Sequence, residues 1–219
     1  MSEADWTLPR KVNAGGDRPA VWRRGRLSRN PDPAQREVIV RVTGRARHPA
    51  ALSAQLLYMT RRGDLPGEHS TGRILHGRDD LRRLQARWVA DNAAYARHPS
   101  CHTQSVAVVL SMPTGTPVEA VAAATRLWAQ MHMSGHTEWL SVQHTDRSHM
   151  HSHVAVRAVR LDGYRLTSTP AEIQAWRETF ALALRAEGIT ADATPRRELA
   201  ERALALAHDA PAQLRHRRL

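Results

Sequence analysis

Apolar residues recur along this chain with two periods, and the switch between them outlines the fold. Alternation across Glu37-Val38-Ile39-Val40-Arg41-Val42 predicts a first strand, closed by a turn at Gly44. Apolar runs at Ser105 to Leu110, Glu138 to His144 and His151 to Val159 predict three more. Between them the spacing becomes helical. Pro49 to Arg62 starts with proline and stops before Gly63, as a helix does. Asp79 and Asp80 open a second helix, whose stripe of Leu81, Leu84, Trp88 and Tyr95 places Tyr95 in the core. Thr116, Pro117 and Glu119 form a capping signature ahead of Val118, Val121, Ala122, Thr125, Trp128 and Ala129. Thr169, Pro170 and Glu172 repeat it ahead of Ile173, Trp176, Phe180 and Leu184, with Gly188 as the stop. A last helix is expected from about Pro195 to His208. Residues 63–77, with Pro66 and little periodicity, read as an exposed loop, and Asp162-Gly163 reads as a turn into Tyr164-Arg165-Leu166. Strands joined mostly as hairpins, with helices between some of them, predict an α+β fold: an antiparallel sheet covered by helices on one side.

Charge adds a partner to this outline. The 219 residues suffice for one domain, and 32 basic against 21 acidic side chains leave a formal charge of +11. Lys11 is the sole lysine, so arginine carries nearly all of the positive charge. Planar guanidinium groups suit bidentate phosphate contacts and stacking on bases, which points to nucleic acid. Residues 1–34, rich in Pro, Gly and Arg and including Arg23, Arg24, Arg26 and Arg29, read as a flexible basic arm. Residues 35–208 form the expected domain, and 209–219 a basic tail. Cys101 is the single cysteine, so an internal disulfide and a zinc ribbon are excluded. No apolar run reaches membrane-spanning length and no signal core precedes the domain; the expected compartment is the cytoplasm.

The densest chemistry lies in His144-Thr145-Asp146-Arg147-Ser148-His149-Met150-His151-Ser152-His153, which holds four of the thirteen histidines and one carboxylate. On a strand, His149, His151 and His153 share one face, and a neighbouring strand ending at His144 can complete a three-imidazole cluster. Three neutral nitrogens leave coordination positions open, as a catalytic ion requires. Imidazole by itself suits zinc, copper or nickel, whereas phosphate chemistry commonly uses magnesium or manganese.

A metal site on an arginine-rich protein points to phosphoryl transfer, which needs an attacking group. Three tyrosines are available. Tyr95 sits on an apolar stripe and Tyr164 follows a turn, while Tyr58 lies near a helix end with Arg61 and Arg62 on its face. A free tyrosine titrates near pH 10, so neighbouring cations that favour the phenolate would raise its nucleophilicity. Packing among leucines is the competing reading of Tyr58.

Three segments in order, Gln55-Leu56-Leu57-Tyr58-Met59-Thr60-Arg61-Arg62-Gly63, Ser111-Met112-Pro113-Thr114-Gly115 and His144-x-Asp146-x-x-His149-x-His151-x-His153, resemble the motifs of plasmid relaxases. These are the mobilisation nucleases of the histidine-hydrophobe-histidine endonuclease superfamily, and the similarity is to the branch that includes the T-DNA border-nicking protein. It runs from about Arg36 to Arg202. The resemblance implies a sheet-centred palm and a site- and strand-specific transesterase, in which Tyr58 attacks a phosphodiester at an origin of transfer. The products are a 5′-phosphotyrosine link and a free 3′-hydroxyl, and the step is reversible. By the same resemblance His144, His151 and His153 match the metal ligands of a divalent ion, magnesium or manganese first and zinc as an alternative. Asp146 matches the carboxylate that orients a ligand histidine, and Ser111, Arg61, Arg62 and His149 match DNA-contacting positions. The implied partners are single-stranded DNA, relaxosome accessory proteins and a type IV secretion coupling protein.

This chain departs from the family pattern at three positions. Ser152 stands between the last two ligand histidines where a hydrophobe is usual, and Met150 stands where a proline is usual. Because His149-Met150-His151 keeps the hydrophobic spacing, His149 is an alternative ligand. Arg157 replaces the asparagine common in close relatives. The competing functions are a non-catalytic DNA-binding relative, and a replication initiator or transposase of the same superfamily.

Overall fold

The computed structural model describes residues 37–98, 102–145 and 150–195. The expected arm, Cys101, Asp146, His149, the last helix beyond Pro195 and the basic tail lie outside the described residues. Six strands form one antiparallel sheet: β1 (Ile39–Ala46), β2 (Gly67–His69), β3 (Ile74–Leu75), β4 (Ser105–Ser111), β5 (Trp139–His144) and β6 (His151–Arg157). Their order is β1-β4-β6-β5-β2-β3, so the histidine-bearing β5 and β6 are adjacent and central. Among the described residues four α-helices accompany them: α1 (Pro49–Met59), α2 (Gly77–Tyr95), α3 (Val118–His132) and α4 (Pro170–Ala186). The α+β class and antiparallel sheet are those expected from the sequence.

Side-chain alternation on the central strands builds two apolar clusters. Val154, Val156 and Trp139 pack with Val121, Trp128, Phe180 and Leu184 of α3 and α4. Ala155, Leu140 and Val142 point the other way, against Leu52, Leu56, Leu84 and Trp88 of α1 and α2. Helices therefore cover both faces, where one covered side was expected. The cause is that strands apolar on both faces need two layers of cover. His151 and His153 share the parity of Ala155, so the imidazoles emerge on the α1–α2 side.

Other boundaries also differ from the pattern reading. Gly44 does not end β1; the strand runs on to Ala46 through a register shift between Val42 and Gly44 against β4, the mark of a bulge. Residues 63–77 contain the β2–β3 hairpin, and β2 extends the sheet by pairing Glu68 with Ser141 and His69 with Leu140. Strands this short carry too few alternations to register as a pattern. The α2 helix starts at Gly77, ahead of Asp79, with the His76 N–H donating to Asp80 at 2.9 Å. Tyr95 is 45% exposed because the buried position at that end of α2 is Asn92, whose amide bonds Gln104 and the Val159 N–H. At α3 the Thr116 hydroxyl donates to the Pro113 carbonyl and does not cap the helix. The Thr169–Glu172 capping box of α4 forms as expected.

Candidate metal centre and tyrosine site

The antiparallel register of β5 and β6 sets His144 opposite His151. His153, two residues along β6, shares the face. One ligand nitrogen from each of His144, His151 and His153 lies within 4.8 Å of the others. The His144 and His153 rings are 4.3 Å apart between centroids, and His151 lies 5.1 and 5.2 Å from them. His144 is buried and the other two are half-buried, so the cluster is recessed but reachable.

His144 is held by a bond that no sequence motif announces. Its Nε2 lies 2.6 Å from the Met59 carbonyl, which can only accept, so Nε2 carries the proton and Nδ1 keeps its lone pair. That carbonyl belongs to the last residue of α1, where helix carbonyls lose their intrahelical partners. One hydrogen bond thus fixes the imidazole tautomer and ties the end of α1 to the histidines. The Arg61 Nη2 lies 3.5 Å from His144 Nδ1.

Tyr58 precedes Met59 and is 52% exposed. Its ring stands edge-on to His153, centroids 5.7 Å apart and planes at 85°, and the Arg61 guanidinium is 6.0 Å from the ring centroid. The structure thus brings Tyr58, Arg61, His144, His151 and His153 together. Ser111 lies beside them at the end of β4, paired with His151 and donating to the Met150 carbonyl at 3.2 Å. Arg62 turns instead toward a groove between α1 and α2. Asp146 and His149 lie outside the described residues.

The turn after Tyr58 is strained. Arg61 (φ 52), Arg62 (φ 64) and Gly63 (φ 97) are all left-handed, at a cost of about 1–3 kcal/mol for each non-glycine residue. Thr60 holds the turn: its hydroxyl takes the Gly63 N–H at 3.1 Å, and its carbonyl takes Leu65 N–H at 2.9 Å. A Cβ on Gly63 would lie 3.0 Å from the Gly77 backbone, so only glycine lets this turn seat against the start of α2.

Ser152, the departure between His151 and His153, points to the opposite face. It is fully buried, 2.7 Å from the Thr125 hydroxyl of α3 and donating to Gln143 at 2.6 Å. Those partners satisfy a hydroxyl where an apolar side chain would need none, and the flanking histidines keep their face.

A second polar cluster lies farther along the same face. Glu138 Oε2 accepts from Trp88 at 2.8 Å and Arg87 at 2.9 Å, and His69 Nε2 is 3.2 Å away. The Thr71 N–H donates to His69 Nδ1 at 3.2 Å, so the His69 proton is on Nε2 and faces Glu138. The His69 bond, then Trp88 and the Arg87 charge, hold the Glu138 carboxyl at about 2 against the opposing effect of burial. Beside it Arg157 is 1% exposed; its Nε and Nη1 have no acceptor among the described residues, and Tyr95 lies 5.5 Å from the guanidinium.

An antiparallel sheet bearing a central histidine cluster beside an exposed helical tyrosine is consistent with a relaxase palm. The chain belongs to the relaxase family: the model of the MobA/VirD2-like nuclease domain matches residues 63–189, which include all three clustered histidines and begin at Gly63, the last residue of the turn after Tyr58. It is 30% identical over 209 residues to the T-DNA border endonuclease VirD2 of Rhizobium radiobacter, covering 86% of this chain and 47% of that protein. It is 32% identical over 147 residues to the protein of that name from Rhizobium rhizogenes, covering 61% of this chain and 33% of the relative. The chain thus spans half or less of these curated relatives. No solved structure matches it.

Proposed function

We propose that this chain nicks one strand of DNA by transesterification through Tyr58, at an origin of transfer or a border-like site. The observation that carries the reading is the contact between Tyr58 and the histidine cluster: an exposed phenol ring stands edge-on to His153, 5.7 Å between centroids, and His153 is one of three convergent imidazoles. In the reaction the Tyr58 oxygen bonds to phosphorus as the bond to the 3′ oxygen breaks. The phenol proton is lost and the 3′ oxygen is protonated. The ester count is unchanged, so a 3′-hydroxyl can reverse the step without an energy-rich cofactor.

The donor set fits a divalent cation: three imidazoles converge, and the Met59 carbonyl leaves the His144 lone pair available. When bound, such an ion, magnesium or manganese with zinc as an alternative, would neutralise charge growing on the non-bridging oxygens. Within hydrogen-bonding reach of His144 and beside Tyr58, Arg61 adds a fixed positive charge to the same place. Asp146 would orient a ligand histidine, while Ser111, Arg62 and His149 would contact the strand. Relaxosome proteins and a secretion coupling protein are the partners this activity calls for.

The test is covalent trapping on a randomised single-stranded DNA pool with magnesium or manganese. A metal-dependent adduct that survives denaturation and is absent from Tyr58→Phe is expected; sequencing the trapped DNA yields the target. DNA retention without an adduct would make the chain a binding relative instead.

A further inference from the structure

A shallow groove, open to solvent, runs between the C-terminal half of α1 and the first turns of α2. Leu56, Leu57 and Leu81 line it together with Ser53, and Arg62, Arg78 and Arg82 stand around it. The combination is unusual in two ways. Three guanidinium groups from two elements surround one small space, where their mutual repulsion favours an anion. Arg82 is paired with Asp79 at 2.9 Å, but Arg62 and Arg78 are exposed and make no hydrogen bond or ion pair with any described residue. Leu57, half-buried among the cations while Leu56 and Leu81 are buried in the core, supplies an apolar contact that a simple phosphate site would not need.

The strained turn connects this groove to the tyrosine site. Left-handed geometry at two consecutive arginines sends Arg61 to His144 and Tyr58 and Arg62 to the groove. Gly63, seated against Gly77 and Arg78, holds the start of α2 at the same place. Side chains adjacent in sequence therefore serve adjacent sites, matching a polymer whose charged units follow one another along a strand.

We infer that the α1–α2 groove is a nucleotide seat for the strand entering or leaving Tyr58. The face of one unpaired base rests on the half-buried Leu57, while Arg62 and Arg78 hold the flanking phosphates. A base can lie there only if it is unstacked, so the seat favours single strands over duplex. The inference rests on the DNA-nicking reading and adds the residues that position the strand and select its unpaired form.

The experiment measures affinity of the full chain for a labelled oligothymidine, its duplex and an abasic strand of equal length, over a range of salt. Arg62→Met, Arg78→Met and Leu57→Asn are compared with Arg47→Met, which lies at the far end of α1 and controls for general charge loss. Melting curves confirm folding, and all four positions are at least partly exposed. Each groove arginine variant is expected to weaken single-strand binding about 3- to 10-fold and to lower the salt slope by about one, with a smaller loss on duplex. Leu57→Asn is expected to bind the thymidine strand no better than the abasic one. Equal losses on single strand and duplex, or losses matched by Arg47→Met, would overturn the seat. The Tyr58 adduct is scored in parallel: adduct formation with unchanged groove affinities overturns the seat alone, whereas groove-dependent binding without an adduct overturns the nuclease reading alone. Preferential capture of an acidic peptide over oligothymidine would assign the groove to a protein partner and overturn the seat.

Discussion

Two polar clusters share one face of the sheet and are built on opposite charge logic. Around Glu138, donors from Trp88, Arg87 and His69 converge on a carboxylate oxygen that the chain itself supplies. Around His144, His151 and His153, ring nitrogens converge within 4.8 Å of one another, a group that could hold a cation from solution. Histidine serves both, and its tautomer separates the roles. His69 turns its proton inward to an anion, whereas His144 donates its Nε2 proton to the Met59 carbonyl and leaves Nδ1 as the acceptor, 3.5 Å from Arg61 Nη2. The first arrangement is complete within the chain, and the second is the one we propose for a cation.

Removing one member of each cluster should therefore give opposite results. His151→Ala leaves the apolar core untouched and deletes one of three ligands. Metal affinity by calorimetry should fall well beyond the ~10–100-fold that loss of an outer-shell partner costs. Stability without metal should change by less than about 1 kcal/mol. Added manganese should raise the melting temperature of the parent but not of the variant. Equal manganese affinity in the two proteins would break the comparison by removing the histidines from the metal site.

Glu138 should behave the other way. Its carboxyl is held at about 2 when folded against an ordinary value of 4.5, so it favours the folded state whenever it is ionised. That contribution is complete above pH 4.5, declines as pH falls from 4.5 toward 2, and amounts to about 3 kcal/mol. Glu138→Gln should lose most of it at pH 7, with little change in manganese affinity. Denaturant titrations should show the parent's advantage shrinking below pH 4.5; an advantage that persists undiminished at pH 2 contradicts the assignment.

The sequence displayed these clusters unequally for physical reasons. Three histidines within ten residues at strand spacing are visible because local periodicity sets their direction. The Glu138 cluster draws on α2, β2 and the start of β5, separated by up to 69 positions, so only tertiary packing assembles it. The four long helical segments and four of the strands were legible for the same local reason. The two-residue β3, the bulge at Gly44 and the second helical layer depended on neighbours. At the tyrosine site, residue types were readable, but the left-handed turn and the Met59 carbonyl were not, since backbone carbonyls leave no trace in composition. Asp146 and His149 keep the roles the resemblance implies for them as proposals.

Arg157 offers the smallest and sharpest test, because it departs from both kinds of cluster. It sits beside Glu138, yet Glu138 Oε2 is taken by other donors, and the buried Nε and Nη1 have no acceptor among the described residues. Guanidinium does not deprotonate to escape this, so burial leaves a desolvation cost offset only in part by the Tyr95 ring. Replacing such a cation with an apolar side chain of similar reach removes that cost. Arg157→Met should raise stability by about 1 kcal/mol in denaturant titrations, while manganese affinity and Tyr58 adduct formation stay unchanged. A loss above about 2 kcal/mol would mean that the guanidinium is satisfied in solution by bound water.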